Sequence, residues 1–473
     1  MSLAKRIVRN TAWLYGAELV CKALQIFLVI VLARHYGVEL FGQYSFAITF
    51  TLLFSMFADM GMNSLVIREV AKDRKSTSRY LTNVLFIKAV LAIVSLTIIF
   101  ILINVLGYPS EVKMLVYSFG FYNVIIQVIE FVKAFFKAHE LMFLDSVVKV
   151  FEKVFTVGLS LVLVFLDYPL RFISYAFVLS AALTLVFGLI LVRKKISAVG
   201  GRISKSFIRK FLRMSAPFAL SLLLYTAYLR IDILFINKMQ GNAPTGIYTA
   251  SMQLVESLLF ISVFFGLSVF PLLTKFYHEN NARFWRIYGK VLKVLLIAGL
   301  PIVAGTVFLG DRFMTLFFGS EYVAGGIVLK LLVFFMMLNF LASFHDTVLI
   351  SMDRERRLIR LLGVLFVSNV LITYFLVAHY SIIGAAIAKI LSDIIHLGGA
   401  LYLVRPQIGK EAVSVLFKSA AIFFMLLLLM HLVEGLNLLL IIVVVASCYA
   451  VLLVLLKVVS KEDFLLMKEA LKS

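Results

Sequence analysis

Twelve ionisable side chains stand inside stretches of sequence otherwise apolar enough to cross a bilayer. Glu18, Lys22, Asp59, Lys88, Glu130 and Lys133 lie in the first half, and Arg230, Asp232, Glu256, Asp346, Lys389 and Asp393 in the second. A charge at the bilayer centre costs about 2.5–3.5 kcal/mol even on insertion scales. Each group must therefore face a cavity, find a partner, or bind something. Cations at mid-depth suit a phosphate or pyrophosphate, whose negative charge hydrocarbon does not accept unaided. Carboxylates there suit proton or cation coupling, because burial favours their protonated form.

Lys22 stands four residues after Glu18, on the same face of the first span. Two roles are open to it: half of an internal ion pair, or an ammonium turned into a central cavity toward a pyrophosphate. Lys88 and Lys133 lie near the inner ends of the third and fourth spans. They either snorkel to the surface or form a basic cavity mouth that concentrates an anionic head group. Arg230 and Asp232 are two apart and point to different faces of the seventh span. The planar Arg230 fork suits bidentate phosphate contact. Glu256 sits near mid-depth in the eighth span, protonated or paired, with Arg230 as an available partner. Asp59, just before Gly61, is either a titrating carboxylate or one half of a pair with a lysine. Asn369 and Thr373 share a face of the eleventh span as oxygen donors. Lys389 and Asp393 repeat the i, i+4 spacing as a structural pair on the twelfth.

The elements that must position these groups are long and apolar. The chain has 473 residues, 62% hydrophobic and 15% charged, with a mean hydropathy of +1.04. Soluble domains are nearer half apolar and a quarter charged, which excludes a cytosolic enzyme, a secreted domain and a disordered chain. A span takes about 20 apolar residues. Spans are expected at 12–34, 42–67, 82–106, 113–136, 146–166, 170–192, 214–236, 246–272, 287–309, 326–350, 358–380, 382–404, 413–433 and 436–457. The fold expected is an all-α polytopic membrane protein of about 14 transmembrane helices. Pro301 should kink the ninth span, whereas Pro217 in the first turn of the seventh is tolerated.

The net charge of +21 comes from 46 Lys and Arg against 25 Asp and Glu. Inward-facing loops of membrane proteins accumulate Lys and Arg, so no nucleic-acid partner is implied. The outer loops hold only Arg34, Lys113, Arg171, Lys238 and Arg312, while the connector near 193–213 is dense in both basic types. Both termini are therefore expected in the cytoplasm, in a cell membrane, with membrane lipid all around. Cys21 and Cys448 fall in apolar segments as small hydrophobes. No signal peptide is evident. There is no G-x-x-x-x-G-K-[ST] loop, no H-E-x-x-H and no Cys/His cluster. The outer loops are too short for a glycan-assembly active site. A non-enzyme is expected, without cofactor or bound metal, apart from an H+ or Na+ that could couple transport.

The chain also repeats itself. Gly37/Gly241, Gly42/Gly246 and Tyr44/Tyr248 share one offset of 204 residues, each set in the first outer turn of a six-span block. The glycines supply tight turns, and the tyrosines sit where interfacial rings belong. Spans six and twelve both end in Leu-Val-Arg, at Leu191–Arg193 and Leu403–Arg405. This predicts an N-terminal six-helix lobe (1–195), a basic connector (196–213), a second six-helix lobe (214–405) and a final helix pair with a tail (406–473). Both halves start from the same side, so the repeat is parallel and a substrate path would run between pseudo-symmetric lobes. The apolar final pair suits either a polyprenyl tail or plain lipid.

Several short motifs follow this order: Asn10-Thr11-Ala12-Trp13, Leu32-Ala33-Arg34 with Gly37, Phe41-Gly42-Gln43-Tyr44, Asp59-Met60-Gly61 and Arg68-Glu69. In the second half they are Ala216-Pro217, Arg230-Ile231-Asp232, Gly246-Ile247-Tyr248, Leu254-Val255-Glu256 and Gly384-Ala385-Ala386. With this topology, nearly the whole chain resembles the Wzx-type oligosaccharide flippases of the multidrug/oligosaccharidyl-lipid/polysaccharide exporter superfamily. The resemblance implies a V-shaped bundle of two six-helix lobes. It also implies alternating-access transport of a lipid-linked oligosaccharide for polysaccharide biosynthesis, by a monomeric transporter. Lys22, Arg230, Lys88 and Lys133 are then the head-group candidates, and Glu18, Asp59, Glu256, Asp232, Asn369 and Thr373 the coupling or charge-pair candidates. Relatives with a sodium site between second-lobe helices point to Asp232, Asn369 and Thr373 here. The drug-exporting relatives, as ion-coupled cation antiporters, are the alternative. They typically have twelve spans, so the extra pair here favours the lipid-linked substrate.

Overall fold

The computed structural model describes residues 3–196, 202–405, 410–433, 435 and 437–455. They form thirteen α-helices and three short 3-10 turns, with no strand among the described residues. The helices are α1 (Leu3–Ser55), α2 (Met62–Lys72), α3 (Thr77–Val105), α4 (Ser110–Ala138), α5 (Met142–Phe165), α6 (Leu170–Lys195) and α7 (Lys205–Gln240). They continue with α8 (Asn242–Glu279), α9 (Asn281–Phe318), α10 (Gly325–Ser351), α11 (Glu355–Val404), α12 (Lys410–Leu432) and α13 (Leu438–Leu455). The chain is an all-α, multi-pass membrane protein.

Two long helices are each broken once by a left-handed residue. Gly37 (φ 71°) divides α1 into the first two spans, and Ser381 (φ 52°) divides α11 into the eleventh and twelfth. Two passes from each, eight from α3–α10 and one each from α12 and α13 make the fourteen expected. Among the described residues, seven helices are long and apolar enough to cross a membrane by length and composition alone. The second span ends earlier than hydropathy suggests. A 3-10 turn at Met56–Ala58, then Met60 and Gly61 at positive φ, interrupts it, and 62–67 belong to the short α2. Met62, Leu65, Val66 and Val70 form the buried stripe of α2 at helical spacing. Pro217 is not in a first turn, because α7 starts at Lys205. Caps mark other starts: the Ser204 hydroxyl accepts from Phe207 N, and Asn280 Oδ1 from Arg283 N.

The chain falls into two compact units, Met1–Thr249 and Ala250–Ser473. In the first, α1 packs on α4 and α5, α4 on α6, and α7 on α1, α2 and α3. This packing places the seventh span with the first six, whereas the repeat divides the chain at the connector. In the second, α10 packs on α9 and α11, and α12 and α13 lie against α9. Ile422, Leu426 and Met430 of α12 and Ile441 and Val445 of α13 bury against Ala304 and Leu309. Tyr449 O–H donates to the Ile297 carbonyl at 2.5 Å. Pro301 lies inside the continuous α9.

The repeated glycines do two different jobs. Gly37 and Gly241 have φ of 71° and 91°, which only glycine adopts without strain. Gly42 and Gly246 instead let two backbones touch. A Cβ on Gly42 would come 1.9 Å from Asn242 O, and one on Gly246 2.2 Å from Val38 O. The side chains beside this seam are joined, with Asn242 Nδ2 donating to Glu39 Oε1 at 2.8 Å. The tyrosines of the repeat are not interfacial. Tyr44 is buried edge-on against Phe119 and Phe177, and Tyr248 is buried with its hydroxyl donating to Asp232. Overpacking costs about 1–3 kcal/mol, so Gly246→Ala should lower the unfolding temperature in detergent. Gly289→Ala, with no atom within 4 Å of its Cβ, should leave it unchanged or raise it. Equal effects of the two substitutions would show that the seam carries no packing strain.

Candidate functional site

The first unit holds a charged face built from three helices. On α1, Glu18, Lys22 and Gln25 follow i, i+4, i+7, one side of the helix. On α5, Asp145, Lys149, Glu152, Lys153 and Thr156 follow i, i+4, i+7, i+8, i+11. The two stripes meet because α1 packs on α5. Glu18 is paired with Lys149, and the Lys153 ammonium donates to Gln25 Oε1 at 2.7 Å. Behind them, α4 contributes Tyr122, whose hydroxyl donates to Glu152 Oε1 at 3.2 Å. The Glu130–Lys133 pair lies at 2.6 Å and Lys137 at 3.7 Å from Asp145. Thr156 also donates to Glu152 Oε1, and links to Ser180 of α6.

Charge on this face is not balanced. Lysines 22, 133, 137, 149 and 153 meet carboxylates 18, 130, 145 and 152. Lys133, Lys137 and Lys149 each have a carboxylate partner. Among the described residues Lys153 has only a neutral amide. Lys22 is half-buried, acts electrostatically on Glu18, and makes no ion pair among the described residues. Glu18 thus prefers Lys149, across helices, to Lys22 one turn away. Lys149 and Glu18 remain about one-third exposed (30% and 31%), so the face is reachable. α5 is absent from the helices that pass as spans on composition. Lys149, Glu152 and Lys153 are the reason, and sequence analysis overlooked all three, although their spacing was the available signal.

Other candidates sit elsewhere. Lys88 neither snorkels nor opens onto a cavity mouth. Its side chain is fully buried, 2.7 Å from Asp59 Oδ1, donates to the Gln127 carbonyl at 3.2 Å and lies 5.6 Å from the Phe131 ring centre. The break between α1 and α2 is what brings Asp59 to it. Lys133 is likewise buried, on Glu130. Arg230 is half-buried on α7, while Asp232 is buried and accepts from Tyr248 O–H and Ile233 N. Their separation onto different faces follows the helical period. Glu256 is half-buried in the second unit. Asn369 and Thr373 are fully buried there, with Asn369 Nδ2 donating to Ser392 Oγ at 3.0 Å. No group of three or more His, Cys, Asp or Glu that could hold a metal is found among the described residues.

A polar cluster in the second unit also went unread. His396, fully buried, lies 3.1 Å from Asp346 Oδ1 and 3.8 Å from Asp393 Oδ1. Lys389 is buried 5.7 Å from the Phe335 ring centre. Nearby, His345 shares a hydrogen bond with the Tyr288 hydroxyl at 2.8 Å. Scattered histidines hid this, although Asp393 and His396 are one turn apart. Outside the spans, burial pushes His139 below the usual histidine value and the Arg74 guanidinium adds to it. The neutral ring is the partner of Thr77 at 3.0 Å.

A family model described as polysaccharide biosynthesis protein matches residues 7–277, more than half of the sequence. The chain belongs to that family. A MatE family model also matches residues 217–375. The capsular polysaccharide biosynthesis protein CapF of Staphylococcus aureus is 21% identical over 414 residues, covering 84% of this chain and 99% of that protein. Among solved structures, the lipid II flippase MurJ in an inward closed conformation superposes with a TM-score of 0.79 at 14% identity, covering 96% of this chain and 99% of that one. An inward-facing multidrug resistance MATE family transporter of the MOP superfamily gives 0.62 at 15% identity, covering 81% and 94%. The family assignment thus covers the charged face of α1, α4 and α5, and the structural likeness covers the fold.

Removing one member of a buried ion pair costs about 3–5 kcal/mol, whereas replacing both by apolar groups is near neutral. Lys88→Met should therefore markedly lower the unfolding temperature, and adding Asp59→Leu should restore most of it. A double variant no more stable than the single one would remove the structural role assigned to this pair.

Proposed function

We propose that this polysaccharide biosynthesis protein is a flippase that carries an isoprenoid-linked oligosaccharide across the cell membrane by alternating access. The observation that carries this is the cationic excess, five lysines against four carboxylates, on the face shared by α1, α4 and α5. Lys22 lies about 22 Å along α1 from the break at Gly37, at 1.5 Å per residue, inside a hydrocarbon core of about 30 Å. Two ammonium groups there, Lys22 and Lys153, have no carboxylate directly on them among the described residues. A pyrophosphate or phosphate linking lipid to sugar supplies the missing negative charge in transit. The Glu18–Lys149 pair and the Lys153–Gln25 hydrogen bond join α1 to α5 beside Lys22. Arg230, half-buried on α7 in the same unit, is a second head-group contact by virtue of its fork. CapF and MurJ support the substrate class, being named for capsular polysaccharide biosynthesis and lipid II flipping. No chemical step is assigned to any residue. The protein acts as a transporter with both termini in the cytoplasm, which the basic connector supports. The two lobes 1–195 and 214–405 are the moving parts, and monomers suffice.

A charge-assisted contact contributes about 1.5–3 kcal/mol. Lys22→Ala with Lys153→Ala should therefore cut glycan export by at least about tenfold while the protein stays in the membrane, leaving the lipid-linked oligosaccharide on the cytoplasmic leaflet. Arg230→Lys should be only partly active. A cation antiporter, the alternative reading, would respond in the opposite way. Losing positive charge would preserve efflux of a cationic dye, and Glu256→Gln would abolish it. Normal glycan export in the double variant, with dye efflux lost on Glu256→Gln, would reject the flippase. Orientation has its own test. A cysteine placed between 202 and 204 should be silent to a membrane-impermeant maleimide in intact cells and react after permeabilisation. Labelling in intact cells would invert the topology.

A further inference from the structure

The second unit contains a basic cavity that the proposed transport site does not use. The break at Ser381 folds α11 back, so that its first and last turns lie side by side. A cavity of about 640 Å³ opens between them, lined by Arg354, Arg357, Arg360 and Arg405 with Tyr402 and the apolar Val364. Arg354, Arg357 and Arg360 are spaced by three, one row along the start of α11. Tyr402 and Arg405 are spaced by three at its end. Among the described residues no carboxylate lines the cavity. Asp353 is turned to His278 at 3.3 Å, and Glu355 is one residue off the arginine row.

Three of the four guanidinium groups are held by neighbours, Arg360 donating through Nε to the Arg356 carbonyl at 3.3 Å. Arg354 donates through Nη1 to the Leu403 carbonyl at 2.5 Å, which joins the two ends of α11. The Arg405 guanidinium lies over the Tyr402 ring, 5.4 Å from its centre. Four like charges around one cavity repel one another, and a bound anion relieves that repulsion. The preference for positive loops on one side of a membrane explains basic residues in the turn between α10 and α11. It does not explain four planar forks around a formed cavity of ligand size. Arg is the side chain suited to bidentate phosphate contact. Val364 and Tyr402 are exposed (57% and 68%), so the cavity opens beside an apolar strip. Basic pockets between membrane helices are known receptors for phosphorylated lipid head groups.

We propose that this cavity is a binding site for a phosphate-bearing ligand, held by Arg354, Arg357, Arg360 and Arg405. The phosphate comes either from an anionic lipid head group, whose chain lies along Val364, or from a soluble phosphate compound.

The test uses the purified full-length protein in detergent. Native mass spectrometry would count retained dioleoylphosphatidylglycerol against dioleoylphosphatidylcholine, and calorimetry would follow inorganic pyrophosphate. The pocket variant is Arg357→Gln/Arg360→Gln/Arg405→Gln. Its control is Lys275→Gln/Arg283→Gln/Arg286→Gln, which removes three exposed charges of the same unit that do not line the cavity. The pocket variant should bind at least about tenfold more weakly, the control within about twofold. Replacing the same three arginines by Lys should restore only part of the binding. If the triple variant does not elute as a monodisperse peak, Arg357→Gln alone carries the comparison. Pocket-dependent retention of phosphatidylglycerol identifies a lipid source, and pocket-dependent pyrophosphate binding without it a soluble one. Equal weakening in pocket and control variants, or no pocket-dependent binding of either probe, would overturn the proposal.

Discussion

Charge compensation inside hydrocarbon is the constraint on which the first unit depends. An ion taken out of water carries an effective penalty of several kcal/mol, which only a close partner with further hydrogen bonds offsets. Lys88 meets that condition fully, with Asp59, the Gln127 carbonyl and the Phe131 ring around it. The second span has to break at Met56–Gly61 for Asp59 to be there. Backbone irregularity and the ion pair are therefore one feature. The face of α1, α4 and α5 meets the condition only in part, with Lys149 and Lys133 matched and Lys22 and Lys153 left to neutral or more distant neighbours. A wholly matched face would be stable and inert, and a wholly unmatched one would not insert.

Hydropathy made the fourteen passes legible, because span length is set by bilayer thickness rather than by tertiary detail. It overran at 62–67, where an amphipathic helix follows the span after a 3-10 turn at Met56–Ala58 and a positive-φ pair, Met60 and Gly61. Asp59 was legible as one half of a pair with a lysine, which is Lys88, but the partners on the charged face of α1 and α5 were not. Within one helix the sequence offers Glu18 and Lys22, but the pairing chosen joins residues 131 apart, and which helices adjoin is not written in local spacing. Lys149, Glu152 and Lys153 could have been found, since their stripe is as regular as that of α1. The tyrosines of the repeat were misplaced for a related reason. A ring near a span end suits an interface or a core equally, and the Phe119–Phe177 cluster and Asp232 decide it for Tyr44 and Tyr248.

The second unit solves the same problem with different residues. Asp346, Asp393 and His396 share a buried cluster in which the imidazole stands between two carboxylates. Among the described residues the final helix pair adds no charge to this interior. It closes α9 with Ile422, Leu426, Met430, Ile441 and Val445, which gives α12 and α13 a packing role in addition to any contact with lipid tails. Membrane helices gain little from hiding apolar surface from lipid, so such contacts act through close packing.

The seam between Gly42 and Gly246 is made of backbone alone. Contacts between long side chains freeze rotamers when they form and release them when they part, at about 0.5–2 kcal/mol for each large residue. A glycine seam has no rotamers to freeze. It can part and rejoin many times with little entropic toll, and the Asn242–Glu39 hydrogen bond beside it is left to set how firmly it stays shut.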